Sequence, residues 1–286
     1  MRTRAALLLI LPAALLFVYS FAVPLVMVVR LSLFTVKDGI EVFVGFSNYL
    51  RAFQDSLFWL SYANVFWFVL LIAPLGIGIP YSIALFLQRF TRPVQSAGRF
   101  ICYVPSLASG LVIALLWKWL LARGGLINEM LTYIGLPVVA WIGSPIPAKI
   151  AIAMISLSGG GGMFVILFTA VIYSIPKELR EAAIVDGATD RQYRRLVLRP
   201  LLMPTVLLAL LLTIVGVMQM WSEIYVIFPT GGPYGSCLTP VYDIFMTAFI
   251  YSRPNYGAAK GVILLIAIAA VVAIQRKIEA LAGAYR

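Results

Sequence analysis

The 286-residue chain has no histidine, two cysteines and only 12% charged residues. Without histidine there is no histidine-dependent catalytic triad and no imidazole-ligated metal centre. Cys102 and Cys237 form no CxxC pair, which removes thiolate zinc and dithiol redox sites. No GxxxxGK[ST] run occurs, so the chain has no P-loop with which to cradle a nucleotide. The scarcity of charge excludes a soluble domain of this size. With 62% hydrophobic residues, the composition is that of a polytopic membrane protein.

A bilayer core of about 30 Å takes roughly 20 apolar residues per helix. Six runs meet that length, at 5–33, 58–87, 101–121, 150–173, 205–228 and 256–274. The start, Met-Arg-Thr-Arg followed by apolar sequence with Ser20-Phe21-Ala22, resembles a secretory signal. The run continues to Val29, though, past the usual h-region of about 7–15 residues, and is read as an uncleaved first span.

Basic residues orient the spans. With the N-terminus inside, the inner segments hold 14 of the 22: Arg2 and Arg4; Arg89, Arg92 and Arg99; Lys177, Arg180, Arg191, Arg194, Arg195 and Arg199; Arg276, Lys277 and Arg286. The outer loops hold Lys37, Arg51, Arg123 and Arg253, while Arg30, Lys118, Lys149 and Lys260 sit near span ends, where long side chains snorkel. The expected topology is N-in, C-in. The net charge of +11 is therefore a topology signal accompanied by attraction to lipid headgroups; split among four loops, it does not describe a nucleic-acid surface. In this topology Cys102 lies at the inner end of the third span and Cys237 in the last outer loop, beyond disulfide reach.

The segment 174–203 is the one sizeable charge-dense island. Pro176 suits the first position of a helix and Glu178 its first turn, facing the positive end of the dipole. Leu179, Ala182 and Ala183 form a small flat apolar stripe at i, i+3, i+4. Gly187 suits the left-handed residue that ends a helix. Thr189 and Gln192 have capping-box spacing for a second short helix, with Tyr193, Leu196, Val197 and Pro200 on one face and arginines on the other.

This segment resembles the EAA loop of binding-protein-dependent ABC importer permeases. Glu181-Ala182-Ala183, three residues, Gly187, nine residues, then Val197 and Pro200 follow the pattern, with Val197 in place of Ile and Arg199 in place of Leu. The longer form found in sugar importers is matched by Pro176, Glu178, Leu179, Glu181, Ala182, Ala183, Asp186, Gly187 and Ala188. Weaker likenesses keep the family order: Gly45-Phe46-Ser47-Asn48-Tyr49, Trp117-Lys118-Trp119-Leu120, Gly231-Gly232-Pro233 and Tyr256-Gly257-Ala258-Ala259. The chain is most similar to the maltose-type class. The resemblance implies an all-α, six-span type I permease fold in a single domain, 1–286. It also implies an ATPase-coupling role for Glu178, Glu181, Ala182, Ala183, Asp186, Gly187, Ala188 and Tyr193. The implied partners are a second homologous permease, two ABC ATPase subunits that carry the ATP and Mg, and an extracytoplasmic substrate-binding protein. The chain itself binds no cofactor and performs no bond chemistry. It is placed as a multi-pass protein of a bacterial or archaeal cell membrane.

Polar groups within spans usually face the bundle interior or a water-filled path. In the fifth run Thr213, Gly216, Met220 and Glu223 recur at helical steps, with Gln219 at the border. In the fourth, Ser156 and Ser158 precede Gly159-Gly160-Gly161-Gly162, a weak point consistent with a kink, an unwound turn or close backbone approach. The expected substrate path is Ser156, Gly160, Met163, Thr213, Gly216, Gln219, Met220 and Glu223; helix packing is the alternative for the glycines. A permease for another solute, such as a glycerol-phosphate ester, and a secondary carrier are the rival readings.

Overall fold

The computed structural model describes residues 2–281, with side chains described from 10 to 280. Arg286 and the side chains of Arg2 and Arg4, used above for topology, lie outside the described residues. Five described helices are long and apolar enough to cross a membrane: Ile10–Ser32, Ser56–Leu87, Pro145–Ser174, Asp190–Gln219 and Pro254–Ala280. A bent pair, Arg92–Leu107 with Gly110–Leu120, makes a sixth when its two arms are counted as one span. The chain forms two compact units, Met1–Trp59 with Asp243–Ala267, and Leu60–Tyr242 with Ile268–Arg286.

In the first unit, the opening span passes through a π-turn, Val18–Ala22, into the helix Val23–Ser32. Pro24 sits in the first turn after it, where the wider turn absorbs its missing N–H. A small antiparallel hairpin follows, Phe34–Lys37 paired with Ile40–Phe43. Asp38 and Gly39, both at positive φ, form its two-residue turn. This hairpin was not among the expected elements, although Asp-Gly is its local signal; the fold remains all-α in class. Asn48 donates to the carbonyls of Ser32 and Phe34 at 2.9 Å each, satisfying backbone acceptors where the span ends.

The same unit encloses an ionic cluster. Lys260, 2% exposed, donates to Asp243 at 2.7 Å and Thr247 at 3.3 Å and pairs with Asp55 at 3.0 Å. Tyr256 donates its hydroxyl to Asp55 at 2.8 Å, and both Lys260 and Arg51 lie 4.7 Å from its ring centre. Burial pushes the Asp243 carboxyl above the ordinary carboxylate range. Burial acts the same way on Asp55 but is outweighed there by the hydrogen bonds of Lys260 and Tyr256 and the charge of Lys260, which hold it below that range.

In the second unit, two of the expected straight spans are broken. The run 101–121 turns through 89° at Ala108. Pro105 sits in a 3-10 turn, Ala108 is extended, and the Ser109 hydroxyl caps the helix Gly110–Leu120 by accepting from the Leu111 N–H at 3.3 Å. The run 205–228 stops at Gln219 and restarts as the short helix Ser222–Ile227. Met220 is extended and Trp221 lies at φ −150°; the Thr239 hydroxyl takes up the freed Met220 carbonyl, and Lys118 donates to the Val226 carbonyl at 2.8 Å. Glu223 therefore does not share a helical face with Thr213 and Gly216, contrary to the spacing argument.

The four glycines do not unwind the helix, for Pro145–Ser174 runs unbroken through them. Close approach is the role of Gly162, where a Cβ would collide with the Cys102 carbonyl oxygen and the Tyr103 Cα; one at Gly159 would meet the Ile113 side chain at 2.9 Å. Backbone cannot yield as a flexible side chain can. Gly162→Ala should therefore lower stability by about 1–3 kcal/mol, as overpacking does, whereas Gly160→Ala, with nothing within 4 Å, should not. Thermal unfolding of the purified variants would separate the two.

Both cysteines are free. Cys237 is fully buried in a loop outside the spans, and burial pushes its thiol up to about 12, so it is inert as a nucleophile.

Candidate functional site

The second unit carries two candidate sites joined by one helix. The first is the polar loop. Its opening helix is Glu178–Val185, with Glu178 and Glu181 in the first turn. Pro176 lies two residues earlier than expected, outside the helix, where its carbonyl accepts from the Leu179 N–H at 3.3 Å. Ala182 is exposed and Ala183 half-buried. The helix ends at Asp186, and Gly187 takes φ +77°. The Gly187 N–H donates to the Ile184 carbonyl at 3.0 Å and the Ala188 N–H to the Ala183 carbonyl at 2.9 Å, the two bonds of a Schellman turn.

Thr189 and Gln192 then form the full capping box. The second helix is not a separate short one, as expected, but the start of Asp190–Gln219. It passes Pro200 by way of a π-turn, Arg194–Leu198, in which the Arg199 N–H reaches back to Arg194. That extra residue per turn changes which side is buried. Tyr193, Leu198 and Leu202 pack with Ala84, Phe168 and Ile172, while Leu196 is 68% exposed, so the expected face of Tyr193, Leu196, Val197 and Pro200 does not form.

The second site is a cavity of about 560 Å³. Every residue of the expected path lines it: Ser156, Gly160 and Met163 from Pro145–Ser174; Thr213, Gly216 and Gln219 from Asp190–Gln219; Met220 and Glu223 from the break beyond. The bend at Ala108 and Gly110 lines it too, and these residues were missed. The cluster Pro105, Ser109 and Gly110 inside an apolar run was the signal that would have found them. A Cβ at Gly110 would occupy the place of the Glu223 carboxylate, which would have to swing aside. Glu223 also accepts from the Ser222 hydroxyl at 3.0 Å. Thr213 spends its hydroxyl on the Ala209 carbonyl at 2.8 Å and Ser222 its own on Glu223, leaving the Gln219 amide and the Ser156 hydroxyl as the freer polar groups. Glu223 is the one charged residue in the lining. Two helix breaks opening on one cavity follow the rule that non-helical backbone at membrane depth is tolerated where it borders a water-filled space.

Residues 76–281 match the family described as "Binding-protein-dependent transport system inner membrane component". The chain is 26% identical over 273 residues to the arabinooligosaccharides transport system permease protein AraP of Bacillus subtilis, covering 94% of this chain and 86% of that protein. It is 30% identical over 225 residues to the trehalose/maltose transport system permease protein MalF of Thermococcus litoralis, covering 78% and 74%. Among solved structures, a chain of a bacterial alginate ABC transporter in complex with an alginate pentasaccharide-bound periplasmic protein superposes with a TM-score of 0.85 over 97% of this chain and 94% of that one, at 22% identity. That likeness is one of fold.

Proposed function

Because the chain belongs to the family of binding-protein-dependent transport system inner membrane components, we propose that it is the permease subunit of an ATP-driven importer of a carbohydrate. The observation that carries this reading is a single rod. Asp190–Gln219 begins at the capped turn of the polar loop and ends on the cavity, roughly 45 Å away at 1.5 Å per residue. A displacement applied at Gly187 reaches the cavity wall through one continuous helix. The loop faces the cytoplasm in the N-in, C-in topology. Two ATPase subunits seat on the loop of this chain and of a second, related permease; they carry the ATP and Mg, and an extracytoplasmic binding protein delivers the solute. Their closure tilts the spans outward-facing, the solute enters, and hydrolysis resets the cycle.

The relatives named for arabinooligosaccharides and for trehalose and maltose support a carbohydrate. The lining supports it as well: hydroxyls, an amide, the Trp221 ring and a carboxylate suit a polyol, and no lysine or arginine is there to hold a phosphate ester. Glu223→Gln should cut uptake of the sugar that co-purifies with the binding protein at least tenfold, with membrane levels unchanged; unaltered affinity and rate would remove Glu223 from the path. Uptake in proteoliposomes should require ATP and survive an ionophore. The opposite pattern would favour a secondary carrier.

A further inference from the structure

At the root of the same rod lies a second cavity, of about 380 Å³, lined by none of the residues of the proposed solute path. Arg191, Arg194, Arg195 and Arg199 line it from the rod, and Arg89 and Tyr81 from the chain around the end of Ser56–Leu87. Asp190 is the only carboxylate in the lining, and it is engaged by Arg194 and, at 3.8 Å, by Arg180. Among the described residues, Arg89, Arg191, Arg195 and Arg199 make no ion pair and no side-chain hydrogen bond. Arg191, Arg195 and Arg199 stand four residues apart along the rod, a spacing at which like charges repel. Among the described residues no carboxylate pairs with these three arginines to relieve that repulsion.

We propose that this cavity binds a phosphate ester, and that its occupant is the headgroup of an anionic phospholipid. The chemistry points to phosphate because every cation present is a guanidinium, whose rigid fork matches phosphate oxygens in pairs. The position points to lipid. Arg89 lies two residues beyond the last turn of a span, and Arg194–Leu198 lies where the rod begins its apolar run. This is the depth at which headgroups meet hydrocarbon, and basic pockets between spans hold such groups. Phe86, Phe90, Leu196 and Leu201, all exposed, flank the arginines in sequence and offer apolar surface to acyl chains.

The full chain would be reconstituted in nanodiscs of phosphatidylcholine with or without cardiolipin, and retained lipid counted by native mass spectrometry. Wild type should keep cardiolipin through detergent washing. Arg89→Gln/Arg195→Gln/Arg199→Gln should lose it at least tenfold, while Arg276→Gln/Lys277→Gln, which removes two charges elsewhere, should not. The corresponding triple lysine variant keeps the charge for insertion and should still bind at least threefold less. In phosphatidylcholine alone, uptake of radiolabelled inorganic phosphate by wild type and not by the glutamine variant would support the phosphate site and assign it to a free anion. Equal cardiolipin retention by wild type and the glutamine variant, or equal loss in the control, would overturn the proposal. So would protection of these arginines from phenylglyoxal that needs the ATPase subunits and is indifferent to cardiolipin and phosphate.

Discussion

Lys260→Met should destabilise the protein by about 3–5 kcal/mol, the usual consequence of stranding a buried charge. The ammonium has three protons, and the structure places Asp243, Asp55 and Thr247 as its three acceptors. Asp55 would retain the Tyr256 hydroxyl and the Leu57 N–H at 2.9 Å, but Asp243, 5% exposed, would lose the one cation that pairs with it among the described residues. Much of the loss should therefore belong to Asp243. The double change Lys260→Met/Asp243→Leu tests this, because replacing both members of a buried pair by apolar groups of similar size is often neutral or better. Recovery of most of the lost stability in the double variant, read by denaturant titration in detergent, is the expected result. A double variant no more stable than Lys260→Met would place the cost in packing around the lysine stem.

Local chemistry was legible wherever the cause lay within a few residues. Thr189 and Gln192 announced the capping box, and Gly187 the left-handed turn; both are present. Hydropathy located six apolar runs but passed over the bend at Ala108, because an apolar count is blind to the Pro105 and Ser109-Gly110 signals inside it. The break after Gln219 has no local sign at all. It depends on the Thr239 hydroxyl, nineteen residues further on, meeting the Met220 carbonyl. The expected path residues all line one cavity, while the helical-face argument for Glu223 was incorrect: polar groups collect there because both broken helices need a polar space, whatever their periodicity. The Asp55, Asp243 and Lys260 cluster joins segments about 200 residues apart in the chain, which no spacing rule reaches.

Gly187→Asp should leave the protein in the membrane at normal levels yet reduce uptake, and the coupling of ATP hydrolysis to it, at least tenfold. The intramolecular cost is small. A left-handed backbone penalises an L-residue by about 1–2 kcal/mol, least for Asp and Asn, and a Cβ at this position meets nothing within 4 Å. A functional loss far larger than that strain must arise against whatever seats on the loop. Gly135 offers a matched control. It stands at φ +79° with nothing within 4 Å of its Cβ position, and its N–H and that of Leu136 make the same pair of Schellman bonds, to Thr132 and Leu131. Gly135→Asp therefore imposes the same strain at a turn outside the loop and should keep uptake within about twofold of wild type, the strain itself being only about 1–2 kcal/mol. Equal losses in the two variants would mean that strain alone is responsible. Full uptake in Gly187→Asp, with ATPase coupling intact, would remove the loop from the transmission route, and the rod that begins there would lose its driver.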